Sequence, residues 1–393
     1  DAPGQHTGYH GWQMADGSPA VGDSAHWRQY AVCGSGDCDR MGGTAVKQGA
    51  EQPNLLGGRQ AMWFKRLLVL VTVGLVLSGG AAYGTEQDKT RIIDADAEPD
   101  REPRVPTFAI NEDLAGRLGV MTTRYEDTFA AIGNDISLGY LELVKANPGI
   151  DPWLPGDGTR ITLPRQYVLP DVERKGIVIN LAEYRLYYFT DEGVQVYPVG
   201  VGTDDNPSPL TDAEVTMPLE SPAWYPPASI RAEYEASGDY LPRMIPPGPD
   251  NPLGTHALML SEKGYLIHGT NKLFGVGMQV SHGCFRMYNE DISRFVYQVS
   301  KGTPVRVIKE PVKIGTSGGE VWLEVHRPHE DYSDKDREWL WQEVNKTVDA
   351  FVQRRPDVEI QRSAIELAVD QADGLPTMVG ERVRQLAADE PGR

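Results

Sequence analysis

The residues best suited to chemistry sit in one short run, VSHGCFRM, Val280–Met287: a thiol, Cys284, with an imidazole two positions before it and a guanidinium two positions after. A thiol attacks a carbonyl as its thiolate, so it needs a base or a positive field within reach. Two histidines are candidates. His282 is adjacent, and His268 closes the strand-like run YLIHGTN. Residues two apart share a face on a strand but need not do so on a tight glycine turn, whereas a histidine at a strand end is aimed by a rigid scaffold. His268 is therefore assigned as general base for a Cys284 nucleophile, with His282 as part of the frame. Gly283 permits a sharp turn that leaves the Cys284 amide facing outward, and amides in such a turn suit the oxyanion of a tetrahedral intermediate. Arg286 adds a fixed positive charge, useful for depressing the thiol pKa or for holding a substrate carboxylate.

Two plainer readings stand beside this one. Cys284 is a buried structural cysteine in the first. In the second, His268, His282 and Cys284 hold zinc; structural zinc wants four ligands, and the remaining cysteines, Cys33 and Cys38, lie far upstream. No metal and no cofactor is expected.

The compartment of the thiol is legible near the front. Lys65 and Arg66 form a positive start, Leu67–Leu77 an apolar run, and Ala82-Tyr83-Gly84 a small-residue cleavage site, so 62–84 reads as a signal peptide. The apolar run is about half the ~20 residues that a spanning helix requires, although an uncleaved anchor is the alternative. Such a signal belongs at an N-terminus, so Met62 is expected to be the true start and 1–61 a non-native upstream extension; a disordered cytoplasmic extension is the other reading. Removal through about Gly84 takes Cys33 and Cys38 with it and leaves Cys284 alone. A single thiol in an exported protein forms no internal disulfide, which favours a reactive role.

The net charge of −18 argues against nucleic acid as a partner. Charged, proline-containing residues 85–111 read as a linker. Residues 112–165 show a helical pattern near Thr128–Gly133, a second from Gly139 that Asn147-Pro148 stops, and a short strand Arg160–Leu163. This strand–helix–helix–strand order, with Asp127-Thr128-Phe129, Asn147-Pro148 and the closing Gly158…Ile161-Leu163-Pro164, resembles a LysM module, a peptidoglycan-binding unit. Glu126 stands where that module has glycine. From Gly176 the apolar period is two, through Ile177, Ile179, Leu181 and then Tyr184, Leu186, Tyr188. Further short strands, VQVYPVGVG, YLIHG and VRVI, with VWLEVH just beyond them at 321–326, indicate a mainly β architecture, a sandwich or barrel, with the catalytic domain over 170–310. Pro-rich Ser208–Gly254 lacks periodicity and reads as a long loop, a substrate-facing lid. Residues 311–393 read as a partly helical extension, with a helix capped at Ser333 and another from Val358 to about Ala372.

HGTN (His268–Asn271) followed by SHGCFRM (Ser281–Met287) resembles the L,D-transpeptidase catalytic domain of the YkuD family. GIVINLAEYRLYYF, PAWYPPASIRAEY, GPDNPLGTHAL and GTPVRVI are similar to its Gram-negative ErfK/YbiS/YcfS/YnhG branch. The resemblance implies a β-sandwich catalytic domain, Cys284 as nucleophile, and His268 as base with its imidazole oriented by the Gly269 carbonyl. Ser281, His282, Gly283, Arg286 and Asn271 fall on positions that shape the site. Arg286 stands where many relatives carry asparagine, and Phe285 where isoleucine or valine is commoner. It further implies a periplasmic enzyme acting on peptidoglycan stem peptides, with another stem or an outer-membrane lipoprotein as amine acceptor and no cofactor. The rivals are an L,D-carboxypeptidase or amidase using water at the same site, and a non-catalytic wall-binding protein.

Overall fold

The structure, a computed structural model, describes residues 91–92, 104–328 and 333–383. The stretch 1–61, expected as an upstream extension, and 62–84, expected as a signal peptide, lie outside the described residues. Among the described residues no helix is long and apolar enough to cross a membrane.

The first elements are β1 (Arg91–Ile92), β2 (Ile110–Asn111), β3 (Leu114–Gly116), β4 (Gly119–Thr122), α1 (Phe129–Ile136), α2 (Tyr140–Ala146), β5 (Arg160–Leu163) and β6 (Gln166–Val168). β4 and β5 pair antiparallel around the two helices, in the strand–helix–helix–strand order read from the sequence. Thr128 caps α1 by accepting from the Ala131 amide. Phe129, Ile132, Leu141 and Leu143 bury their side chains with Ile161 of β5. The stretch expected as a linker is partly built into the fold: Val105 enters the main core, and Phe108 bridges to Val194.

Next come β7 (Gly176–Asn180), β8 (Arg185–Thr190), β9 (Gly193–Pro198), β10 (Val201–Gly202), β11 (Asp212–Glu220), α3 (Ala228–Ala236), β12 (His256–Leu260), β13 (Leu266–His268), β14 (Gln279–Ser281), β15 (Phe285–Arg286), α4 (Asn289–Phe295) and β16 (Pro304–Ile308). They form a curled, mainly β unit with sheet order β15-β13-β12-β11-β16-β7-β8-β9, with β10 and β14 as a separate parallel pair. Ile177, Ile179 and Leu186 face the main core with Leu258, Ile267 and Phe285. The alternate residues Val178, Tyr187, Val194 and Val196 are buried too, against Ala115 of β3 and Tyr167 of β6. With the β3/β6 layer packed against it, this part of the sheet is buried on both faces.

The stretch 208–254 is not one long loop. It holds the nine-residue β11 and the helix α3. Asp212–Glu214 pair with β16, while Val215–Glu220 pair with β12, so β11 joins the two halves of the sheet across a bulge. Its composition hides it, because only Val215 and Pro218 are buried in a strand otherwise filled with Asp, Glu, Thr and half-covered residues.

The final elements are β17 (Val312–Ser317), β18 (Glu320–Val325), α5 (Asp334–Arg354), β19 (Val358–Ile360), α6 (Arg362–Gln371) and β20 (Thr377–Arg382). The strands form a sheet of order β17-β18-β20-β19 whose core takes Leu340, Val344 and Phe351 from α5 and Ile365 and Val369 from α6. The region expected to be partly helical is thus an α+β layer, with α5 and α6 packed on a four-stranded sheet. Ser333 caps α5 reciprocally with Asp336. Val358–Ile360, expected to begin the second helix, pairs with β20 instead, as its β-branched residues favour; α6 starts at Arg362.

Candidate active site

The site is built on the edge of the curled sheet, where β13 and β15 run parallel with Ile267 opposite Phe285 and His268 opposite Arg286. In-register partners on neighbouring strands point to the same face, and so do residues two apart along one strand. Extending that register by one step sets Cys284 beside Leu266. Cys284, Arg286 and His268 therefore share one face of the sheet, while Ile267 and Phe285 drop into the core on the other. Cys284 and His268, sixteen positions apart in the chain, are brought together by a single strand pair.

His268 is buried, and its Nδ1 lies 2.6 Å from the Gly269 carbonyl oxygen. A carbonyl only accepts, so Nδ1 carries the proton and Nε2 keeps its lone pair. Burial draws the His268 pKa down to about 4, with the Arg286 charge adding to the fall and the Gly269 carbonyl opposing it. The Cys284 thiol moves the other way: burial pushes it above its ordinary value, and the Leu266 amide and Arg286 only partly offset that. At neutral pH the resting pair is a thiol and a free imidazole. Arg286 was expected to depress the thiol pKa; burial outweighs it. Its guanidinium is half-covered and feels Cys284 and Tyr234, and among the described residues no carboxylate pairs with it.

The turn before the thiol is pinned from three directions. Ser281 Oγ donates to the Cys284 carbonyl at 2.6 Å and accepts from the Gly283 amide at 3.1 Å. Ser208 Oγ donates to the Gly283 carbonyl at 2.9 Å. Gly283 has φ +103°, and a Cβ there would meet Tyr265 Cε1 at 2.8 Å. Because the Gly283 amide is engaged by Ser281, the oxyanion donor anticipated in this turn narrows to Cys284.

The other sequence-selected residues sit further out. His282 is exposed, and its Nε2 lies 2.9 Å from Glu233 Oε2 on α3. Asn271 donates to the Asp250 carbonyl at 3.1 Å, tying the loop after His268 to the base of the segment that carries α3. That segment is a flap. Trp224 and Ile245 bridge its two limbs, and buried Asn251 donates to the carbonyls of Pro222 and Pro246 at its neck. No residue of α3 is buried.

Asn289 escaped the sequence reading. Its Oδ1 accepts from the Thr255 and Thr270 amides at 3.1 Å, and its Nδ2 donates to the Thr270 carbonyl at 2.6 Å. A Cβ on Gly254 or on Gly269 would collide with that Oδ1. The glycines of GPDNPLGTHAL and HGTN were the available signal: both leave room for one asparagine that holds the loop after His268.

Residues 174–307 match the YkuD family, the L,D-transpeptidase catalytic domain. The probable L,D-transpeptidase YcfS of Escherichia coli strain K12 is 40% identical over 256 residues, 63% of this chain and 79% of the relative. The chain belongs to the YkuD L,D-transpeptidase family. Two further Escherichia coli K12 members align as extensively: ErfK/SrfK at 38% identity, covering 66% of this chain and 84% of the relative, and YbiS at 39%, covering 67% and 87%. The matched residues include β13, which carries His268, and the turn before β15, which carries Cys284.

Proposed function

We propose that this enzyme acts on peptidoglycan stem peptides by covalent acyl transfer through Cys284. The observation that carries the reading is the shared sheet face: a thiol, an imidazole with Nε2 unprotonated, and a guanidinium with no carboxylate partner among the described residues. Cys284 Sγ attacks the carbonyl of the L-centre of diaminopimelate in a tetrapeptide stem, and its proton passes to His268 Nε2. The new C–S bond gives a tetrahedral oxyanion facing the Cys284 amide. Collapse breaks the C–N bond, and the terminal D-Ala leaves with the proton held by His268. Arg286 meets the donor's carboxylate. An acceptor amine then attacks the thioester carbon, forming a C–N bond as the C–S bond breaks, and the amine proton returns through His268 to sulfur. The acceptor is another stem, giving a 3–3 cross-link, or the terminal lysine of an outer-membrane lipoprotein. The active chemistry is extracytoplasmic, which accords with 62–84 as an export signal and a periplasmic location. The βααβ unit serves as a LysM-like wall-binding module.

Purified protein incubated with tetrapeptide muropeptides tests this. The expected products are free D-Ala and a joined species of higher mass. Release of D-Ala with no joined species identifies a carboxypeptidase, and no release at all with Cys284 unmodified refutes acyl transfer.

A further inference from the structure

The chain between His268 and Cys284 does not rest on the catalytic sheet alone. It leans on the βααβ unit of β4, α1, α2 and β5, which ends before residue 174, where the match to the family's catalytic domain begins. Four contacts make the grip. The Phe274 ring meets Tyr140 edge-on with centroids 5.0 Å apart, and lies 5.7 Å from Trp153. The Val276 carbonyl accepts from the Tyr140 amide at 3.4 Å. Gly277 lies so close to Gly139, at the start of α2, that a Cβ on it would fall 2.5 Å from the Gly139 Cα. Met278 is buried with Phe129, Leu141, Leu143 and Ile161, and Val280 packs on the same core.

The last of these contacts reaches the thiol. Successive side chains of a strand point to opposite sides, and those of Met278 to Ser281 do so here. Met278 and Val280 enter the βααβ core, while Ser281 turns the other way, onto the Cys284 carbonyl and the Gly283 amide. The backbone between them is fixed by β10. The Val201 amide donates to the Met278 carbonyl at 2.9 Å, and the Thr203 amide to the Ser281 carbonyl at 3.1 Å. Val280, anchored in one unit, is thus bonded directly to the serine that shapes the nucleophile's turn in the other.

We propose that Met278 and Val280 are positioning residues for acyl transfer: seated in the βααβ core, they set the placement of Ser281 and so hold Cys284 opposite His268. The βααβ unit then belongs to the catalytic apparatus, alongside the wall-binding role proposed above. The assignment rests on Cys284 as the nucleophile.

The test uses the full chain carrying Met278→Ala, Val280→Ala or the volume-conserving Met278→Leu. First-turnover D-Ala release at saturating tetrapeptide stem is expected to fall about ten- to a hundredfold in both alanine variants, with KM near the parent's, because a displaced nucleophile costs rate and not binding. A second reading is the pH dependence of Cys284 alkylation by iodoacetamide. Burial holds the thiol above its ordinary value, so a turn loosened into water alkylates at lower pH. A mere fall in stability leaves that profile of the folded enzyme in place. Met278→Leu restores both readings. A parent-like release rate or an unshifted alkylation profile in both alanine variants overturns the proposal and leaves acyl transfer standing, and so does a loss that Met278→Leu fails to restore. If Met278→Ala does not fold, Val280→Ala, whose side chain is only half-buried, decides alone. If the parent releases no D-Ala, acyl transfer is what fails. The alkylation profile then decides the positioning role by itself: shifted in the alanine variants it stands, unshifted it falls.

Discussion

At the scale of the residue, the site pairs a thiol held protonated with an imidazole held neutral, so proton transfer accompanies attack instead of preceding it. A preformed thiolate would react with iodoacetamide at low pH. Here alkylation of Cys284 is expected to climb only above the ordinary thiol range, and the acid limb of kcat/KM to fall near pH 4, where His268 takes a proton. His268→Gln should lower kcat by about 10²–10⁴ while leaving the fold intact. The same shift affects stability. The unfolded histidine binds its proton near pH 6.5 and the folded one only near 4, so the native state loses up to about 3 kcal/mol as pH falls through that window. Denaturant titrations at pH 7 and pH 4.5 should show the parent losing that much stability relative to His268→Gln as pH falls. Gly283→Ala, with φ +103° and Tyr265 in the way, should cost roughly 1–3 kcal/mol and much of the activity. Cys284 and His268 were legible because their types and neighbours announce chemistry. Asn289 was not, because it works on backbone groups of two loops distant in sequence.

At the scale of the element, α4 clamps the βααβ unit to the sheet. Asp291, buried on α4, accepts from Ser137 Oγ at 2.6 Å and lies 3.3 Å from Arg104 Nη1. Burial raises its pKa to about 6, against the help of Ser137 and Arg104. A folded pKa above the unfolded one means that stability is full below about pH 4 and lost as pH rises through 6, by up to about 3 kcal/mol. This term opposes that of His268, so the parent alone will look flat. Asp291→Asn removes it, and chemical denaturation should then show the variant gaining on the parent between pH 5 and pH 7; an unchanged difference would contradict the assignment. The helices α1, α2 and α5 were readable from caps and 3.6-residue spacing. β11 and β19 were not. The first owes its place to pairing on both sides in spite of its composition, and the second is three residues long.

At the scale of the molecule, three layers converge on one buried ionic network. Arg185 of β8 bonds Glu142 of α2, Glu183 and Glu324 of β18, and Lys313 of β17 bonds Glu183, Tyr187 and the Val168 carbonyl. Glu183, Glu324 and His326 come close enough to suggest metal ligands, but the Lys313 ammonium and Arg185 guanidinium already balance the carboxylates. Burial alone would raise the Glu324 pKa, yet these cations hold it well below the ordinary range. Lys313→Met leaves the two carboxylates under-compensated and should cost roughly 3–5 kcal/mol, read as a fall in denaturation midpoint. None of this was visible in the sequence, since Glu142, Arg185, Lys313 and Glu324 meet only once all three layers are folded. The central claim remains local: one sheet face brings Cys284 and His268 together to make an acyl-enzyme. Mass spectrometry of the intact protein after brief exposure to a tetrapeptide stem, followed by peptide mapping, tests it most directly. The expected result is a mass increase equal to the stem less D-Ala, on the peptide containing Cys284 and absent from Cys284→Ala. An adduct on any other residue, or D-Ala release that persists in Cys284→Ala, would contradict it.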